Sequence, residues 1–237
     1  MRNVIITGSS GQLGSYFVDF FSGKGDKVFA LDKYHLQSDA SKNVCQIEID
    51  ITDEIQVSEF FGSLSACDIL INNAGVGVFT PLEQRTRKEF YDVMNVNLYG
   101  TFLMCQKALR LIKNSKSGRI VNIGSIYGVV SSDPKIYGSS GRNNSEVYSA
   151  TKAGVIQLTK YLAVHFAPFK ITVNSLSPGG VFNNQSSDFV GNYEEKVPLG
   201  KMAHPQDLIS TLDYLVSDNS GYITGQNIIV DGGISVW

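Results

Sequence analysis

The chain has 237 residues, 43% of them hydrophobic and 18% charged, which is apolar enough for a large core and too weakly charged for a disordered chain. Twenty Lys and Arg against 22 Asp and Glu leave a formal net charge of −2. That balance provides neither the basic footprint that nucleic acid requires nor a polybasic membrane anchor.

Met1-Arg2-Asn3 leads at once into Val4-Ile5-Ile6, a run too short for a signal-peptide core and followed by glycines. No stretch approaches the roughly 20 apolar residues needed to span a bilayer, so the expected location is the cytoplasm. Short runs rich in Val and Ile at 3–7, 27–31, 44–49, 68–71, 119–123, 171–175 and 227–230 read as strands. They lack internal alternation, as parallel strands covered on both faces do. Amphipathic stretches at 13–21, 53–60, 88–112, 146–165 and 205–216 read as helices, with Asp53 and Pro205 at amino ends that favour an acid and a proline. This alternation predicts right-handed βαβ crossovers and a single α/β domain over 1–237. Its architecture is a Rossmann-type doubly wound parallel sheet of about seven strands with helices on both faces.

Two stretches break the rhythm, 129–145 and 178–204, both rich in Ser, Gly, Asn and Pro. Loops longer than about 12–15 residues in a compact domain are usually functional, so a lid or substrate-binding role is expected of both. Cys45, Cys67 and Cys105 are odd in number and far apart, which gives no metal spacing and no disulfide framework; reduced, mostly buried thiols and no metal are expected.

Gly8, Gly11 and Gly14 follow the first strand, open a helix and are read as the spacing Gly-x-x-x-Gly-x-Gly, not the commoner Gly-x-Gly-x-x-Gly. A pyrophosphate must lie on backbone amides at a helix amino end, where any Cβ would hold it away. Gly8 is expected to permit the turn, Gly11 the close approach, and Gly14 the packing of helix on sheet. No Lys-Ser/Thr pair follows, which excludes a P-loop. Asp32 ends the second strand candidate, and an acid there accepts hydrogen bonds from an adenosine ribose and repels a 2′-phosphate, favouring NAD over NADP. Lys33 next to it is a cation able to accept that phosphate.

Tyr148 and Lys152 lie four apart in a helix candidate, one turn apart on the same face. A free tyrosine ionises near pH 10, too high for a good base at pH 7, and a neighbouring ammonium is expected to lower it. Hydride transfer to or from a carbonyl needs a matched proton transfer at oxygen, which such a pair can supply. Ser125 follows the fifth strand candidate at the ligand edge, where its hydroxyl could hold the same oxygen or cap a turn.

Further motifs stand in order: Asp50-Ile51, Asn72-Asn73-Ala74-Gly75, Asn97 in Asn95-Val96-Asn97-Leu98, Pro178-Gly179, and Asp231-Gly232-Gly233. With the glycine turn, Ser125, Tyr148 and Lys152, they resemble the short-chain dehydrogenase/reductase family in its single-domain branch, over essentially the whole length. The resemblance implies a general acid/base role for Tyr148, with Lys152 holding the nicotinamide ribose and lowering the tyrosine pKa. It implies that Ser125 orients the substrate oxygen and that Asn97 holds a water linking Lys152 to solvent. Asn73, Ala74 and Gly75 would border the adenosine side. Cofactor contacts are implied for Gly8, Ser10, Gly11, Gln12, Leu13, Gly14, Asp32, Asp50, Ile51, Asn73, Ala74, Gly75, Tyr148, Lys152, Pro178, Gly179 and Val181. It also implies a homotetramer or homodimer, with Ile228, Ile229, Val230, Val236 and Trp237 fitting an interface.

The family often places its serine and tyrosine about a dozen residues apart; here the gap is 23, and the excess lies in 129–145. Tyr137 lies inside it, but Gly141 stands where a lysine would be needed, so Tyr137 does not replace Tyr148. Residues 177–185 resemble members acting in bacterial surface-glycan and nonulosonic acid pathways, and their amides suit a polyhydroxylated substrate. The leading expectation is an NAD-dependent enzyme interconverting a secondary alcohol and a ketone, with sugars and their derivatives among the candidate substrates. The alternative is a catalytically silent dinucleotide-binding sensor or scaffold on the same fold.

Overall fold

The computed structural model describes residues 1–34 and 41–237. In chain order the elements are β1 (Asn3–Thr7), α1 (Gln12–Gly23), β2 (Lys27–Asp32), β3 (Val44–Glu48), α2 (Glu54–Ser63), β4 (Ile69–Asn72), α3 (Arg87–Met94), α4 (Thr101–Ile112), β5 (Arg119–Ile123), α5 (Glu146–Phe166), β6 (Thr172–Pro178), α6 (Ser187–Glu194), α7 (Pro205–Val216) and β7 (Asn227–Val230). The seven strands form one sheet in the order β3-β2-β1-β4-β5-β6-β7, every neighbouring pair parallel. This is the doubly wound architecture read from the strand–helix alternation.

Alternate residues of β1 explain the two layers. Ile5 joins Leu70, Ile120 and Val173 in a core closed by side chains of α2, α4 and α5. Val4 and Ile6 point the other way, toward Phe17 and Phe21 of α1 and Leu208, Leu212 and Leu215 of α7. Burying each such side chain is worth about 1.5–3 kcal/mol, so pleat alternation alone commits the central strands to helices on both faces. The edges depart from that expectation: β3 is half exposed, with Cys45 open to solvent, and β7 is only partly covered.

The expected helix over 88–112 is one continuous helical rod, but α3 and α4 are joined by a π turn, Asn95–Gly100. Such turns insert an extra residue and re-aim side chains. The two irregular stretches hold more structure than their composition suggested. Pro134–Tyr137 is a 3-10 turn, and α6 lies inside 178–204 with Ser186 as its cap, its hydroxyl accepting from the Phe189 N–H. The chain begins its sheet on β1, runs outward to β3, and then returns to place β4 on the other side of β1. That reversal opens a crevice at the carboxyl ends of β1 and β4, the place where open α/β sheets bind ligands. Among the described residues, no helix is long and apolar enough to cross a membrane.

Candidate active site

A cavity of about 650 Å³ lies over this reversal, running from Asp32 and Asp50 at one end to Ser125, Tyr148 and Lys152 at the other. At its middle, Gly8 has φ +64, and a Cβ there would stand 2.7 Å from Ala74 Cα. A Cβ on Gly14 would lie 2.0 Å from the Gly8 carbonyl oxygen, so the fold itself demands both glycines. Gly11 differs: its φ is −75, and an added Cβ would meet only the Gly8 oxygen, at 3.3 Å. What Gly11 keeps clear is the cavity, where a pyrophosphate could settle on the amino end of α1. One correction concerns spacing. The family pattern Gly-x-x-x-Gly-x-Gly would put its middle glycine at position 12, whereas here the glycines stand at 8, 11 and 14. Gln12 occupies that place and donates from Nε2 to the Phe182 carbonyl, joining the turn to the segment after β6.

Asp32 stands at the end of β2. Its carboxylate accepts the Ser10 N–H at 2.9 Å and the Tyr34 N–H at 3.1 Å, so Ser10 supports the acid without lining the cavity. Lys33 lines the same end of the cavity but is paired: its ammonium lies 2.8 Å from Asp50 Oδ2, and that hydrogen bond raises the lysine pKa. Burial works against the Asp50 charge, but Lys33 and Thr52 hold its carboxyl below the ordinary range. Leu13, Ile51, Pro178, Gly179 and Val181 all line the cavity.

The Asn72-Asn73-Ala74-Gly75 motif divides its work. Asn73 Nδ2 donates to the Thr7 and Gly8 carbonyls, while Thr7 Oγ1 accepts from the Asn73 and Ala74 N–H groups, binding the end of β4 to the end of β1. Asn72 donates to Asn122 inside the core. Gly75 lies at the catalytic end rather than the adenosine side: a Cβ there would be 3.4 Å from Asn97 Oδ1 and 3.5 Å from Lys152 Nζ.

The catalytic end is built by a cap and a close approach. Ser145 caps α5 by accepting the Tyr148 N–H at 3.2 Å, which places Tyr148 in the first turn and Lys152 one turn on. Gly128 lets α5 press onto the turn after β5, since a Cβ there would be 2.7 Å from the Lys152 carbonyl carbon. Lys152 Nζ then reaches under the Tyr148 ring, 5.7 Å from its centroid, and donates to the Ile123 carbonyl at 2.7 Å. Ser125 caps the turn after β5 and stands in the cavity lining with Tyr148. Its oxygen accepts the Tyr127 N–H at 3.1 Å, and its hydroxyl has a hydrogen-bond interaction with the Tyr148 phenol. Asn97 sits in the π turn outside the cavity lining, its side chain exchanging hydrogen bonds with both backbone groups of Val76.

The expected acidic tyrosine is not what this pocket holds. Burial pushes the Tyr148 pKa above its ordinary value, partly offset by Ser125, with Tyr137 pushing the same way as burial. Burial also brings Lys152 down to about 8. Both charged forms pay for leaving water, and Lys152 directs its proton at a carbonyl instead of at the phenol.

Several cavity residues had no motif to reveal them: Phe79, Tyr127, Tyr137 and Asn144. The amide reading of 177–185 is reduced, because Gln185 folds back on its own loop. It accepts the Asn183 N–H at 2.7 Å and donates to the Val181 carbonyl at 3.0 Å. Cys67 and Cys105 are buried and free, burial raising the Cys105 thiol to about 12. Among the described residues, no group of three or more His, Cys, Asp or Glu could hold a metal ion.

The family model described as Enoyl-(Acyl carrier protein) reductase matches residues 32–235. A 3-oxoacyl-acyl-carrier-protein reductase of Aquifex aeolicus is 33% identical over 98% of this chain and 86% of its own length. The chain belongs to the short-chain dehydrogenase/reductase family. The ribulose-forming D-arabinitol 2-dehydrogenase of Candida tropicalis is 34% identical over 76% of this chain and 64% of its own length. A crystal structure of a short-chain dehydrogenase from Leptospira borgpetersenii with bound NAD+ superposes with a TM-score of 0.94 and 48% identity, covering 99% of this chain and 93% of that one. As a short-chain dehydrogenase/reductase, the protein is an oxidoreductase acting on CH–OH groups.

Proposed function

We propose that this enzyme uses NAD to interconvert a secondary alcohol and its ketone, with Tyr148 as general acid/base and a polyhydroxylated, sugar-like molecule as substrate. The observation that carries it is the convergence of Ser125, Tyr148 and Lys152 at one end of a cavity whose other end holds Asp32. The glycine cradle and the Asp32 carboxylate fit a dinucleotide, which when bound supplies hydride donation or acceptance. Gly8, Gly11 and Leu13 would flank its phosphates, Asp32 its adenosine ribose, and Lys152 its second ribose. Ser125 fixes the substrate oxygen, and Tyr148 gives that oxygen a proton in reduction or takes it in oxidation. Lys152 steadies the strand end that presents Ser125 through its bond to the Ile123 carbonyl.

Asp32 facing the cavity, with Lys33 committed to Asp50, supports NAD over NADP, as does the NAD+ seen with the Leptospira relative. The hydroxyls and amide of Ser125, Tyr127, Tyr137 and Asn144 at the substrate end and the arabinitol relative support a polyol or sugar. Phe90, Tyr91, Tyr99 and Phe102 form an exposed apolar face along α3, the π turn and α4, and Val236 and Trp237 are exposed too, which supports a homodimer or homotetramer.

The test is Tyr148→Phe. Turnover is expected to fall on the order of 10²–10⁴-fold while NADH binding, followed by fluorescence, persists. Retained turnover defeats the assignment, and a wild type that binds NADH tightly yet turns over no alcohol, sugar or ketone favours the silent sensor.

A further inference from the structure

Residues 129–145, the excess between Ser125 and Tyr148, fold back over the substrate end. Asp133 caps the turn Pro134–Tyr137 by accepting the Lys135 N–H at 2.9 Å. The turn seats on α6: Ile136 and Tyr137 are buried with Tyr193, Val197 and Met202, and the Tyr137 ring meets Phe189 edge-on at 5.4 Å. An Asp133–Lys196 ion pair at 2.6 Å and an Asn192 Nδ2 bond to the Ile136 carbonyl at 3.4 Å close the contact. The two irregular segments are therefore a single wall with its own apolar core.

Within that wall Tyr137 also reaches the cavity, beside Tyr127 and Tyr148. Its ring is fixed against Phe189 and the apolar cluster of α6, which holds the hydroxyl at the cavity wall. A tyrosine hydroxyl so placed carries one proton that it can donate. Buried donors are almost always paired, so one at a ligand cavity calls for an acceptor on the ligand.

We propose that Tyr137 is a specificity-determining residue: its hydroxyl donates to a second oxygen of the substrate, separate from the carbinol oxygen at Ser125 and Tyr148, so that polyhydroxylated alcohols are selected over monohydric ones. This rests on the alcohol–ketone reading above and adds what the insertion is for.

The experiment compares kcat/KM with NAD for glycerol and D-arabinitol against 2-butanol, with acetoacetyl-CoA reduction as a further arm. Wild type is expected to prefer a polyol. Tyr137→Phe keeps the packing ring and should cut polyol kcat/KM on the order of tenfold, through KM, while 2-butanol turnover and NADH affinity hold. An unchanged polyol-to-butanol ratio in Tyr137→Phe overturns the proposal, and so does a wild type that reduces acetoacetyl-CoA or oxidises 2-butanol in preference to both polyols. If the variant is too unstable to bind NADH, the wild-type preference decides by itself. These failures are separable from failure of the parent reading, which is decided by Tyr148→Phe.

Discussion

The Lys152 ammonium donates to the Ile123 carbonyl at 2.7 Å, and that bond ties the first turns of α5 to the strand end that presents Ser125. The arrangement has a pH signature. Burial holds the Lys152 pKa at about 8, below the roughly 10.4 of an exposed lysine. Below pH 8 the lysine is charged in both folded and unfolded chains, and the folded state bears the whole desolvation cost. Between pH 8 and 10 only the unfolded chain holds the proton, so the stability of the wild type gains with rising pH, by up to about 3 kcal/mol. Lys152→Met lacks this gain. The stability of the wild type relative to Lys152→Met, followed by urea denaturation, should therefore rise between pH 8 and 10 and stay level between pH 6 and 7.5. A difference that is flat throughout would show that the ammonium is not desolvated.

Cofactor preference turns on Asp32, which lines the cavity and is held by the Ser10 and Tyr34 amides. Asp32→Asn keeps the shape and removes the charge. Hydrogen bonds to a charged group are worth about 1.5–3 kcal/mol, so NADH affinity should fall roughly 10- to 100-fold while NADPH affinity rises. Calorimetric titration of both nucleotides measures this. Wild-type protein that binds NADPH more tightly than NADH would mean that Lys33 leaves Asp50 for the phosphate.

What the sequence disclosed and what it concealed divide along physical lines. Pleat-buried strands, caps such as Asp53 and the Pro205 start were legible because local chemistry alone selects them. So were Ser125, Tyr148 and Lys152, whose spacing puts one turn of helix against one strand end. Tyr137 was not legible as a site residue, because it reaches the cavity only with 134–137 docked on α6, a contact between distant segments. The interior of 178–204 read as loop because Gly191 and a polar run obscured the period of α6, although Ser186 marked its start. The raised Tyr148 pKa was hidden for a related reason: spacing reveals that a lysine is near, but not that both groups have left water.

The glycines of the turn should separate by role. A Cβ on Gly14 collides with the Gly8 carbonyl, so Gly14→Ala should lose about 1–3 kcal/mol of stability through overpacking, and cofactor binding with it. Gly11→Ala has an ordinary φ and one contact at 3.3 Å, so its melting temperature should stay near that of the wild type while NADH affinity drops at least tenfold. Differential scanning fluorimetry with and without NADH distinguishes the two. Equal loss of stability in both variants would place Gly11 in the fold instead of at the ligand.

Asn97 acts through its neighbours. It is 1% exposed, and its Oδ1 accepts the Val76 N–H at 2.8 Å while Nδ2 donates to the Val76 carbonyl at 3.0 Å and to Thr151 Oγ1 at 3.1 Å. Thr151 in turn donates to the Tyr148 carbonyl at 2.7 Å, so one side chain in a π turn holds both a cavity-lining loop and the catalytic turn of α5. Asn97→Ala orphans the Val76 amide and carbonyl. With about 2 kcal/mol lost, the melting temperature should fall by roughly 4–8 °C in a chain of this size. Thr151→Val removes only the branch to α5, so it should lower kcat with a smaller thermal shift and leave NADH affinity in place. If Asn97→Ala melts with the wild type, Val76 has found other partners and the positioning role is gone. If Thr151→Val leaves kcat untouched, Tyr148 is held by its helix alone.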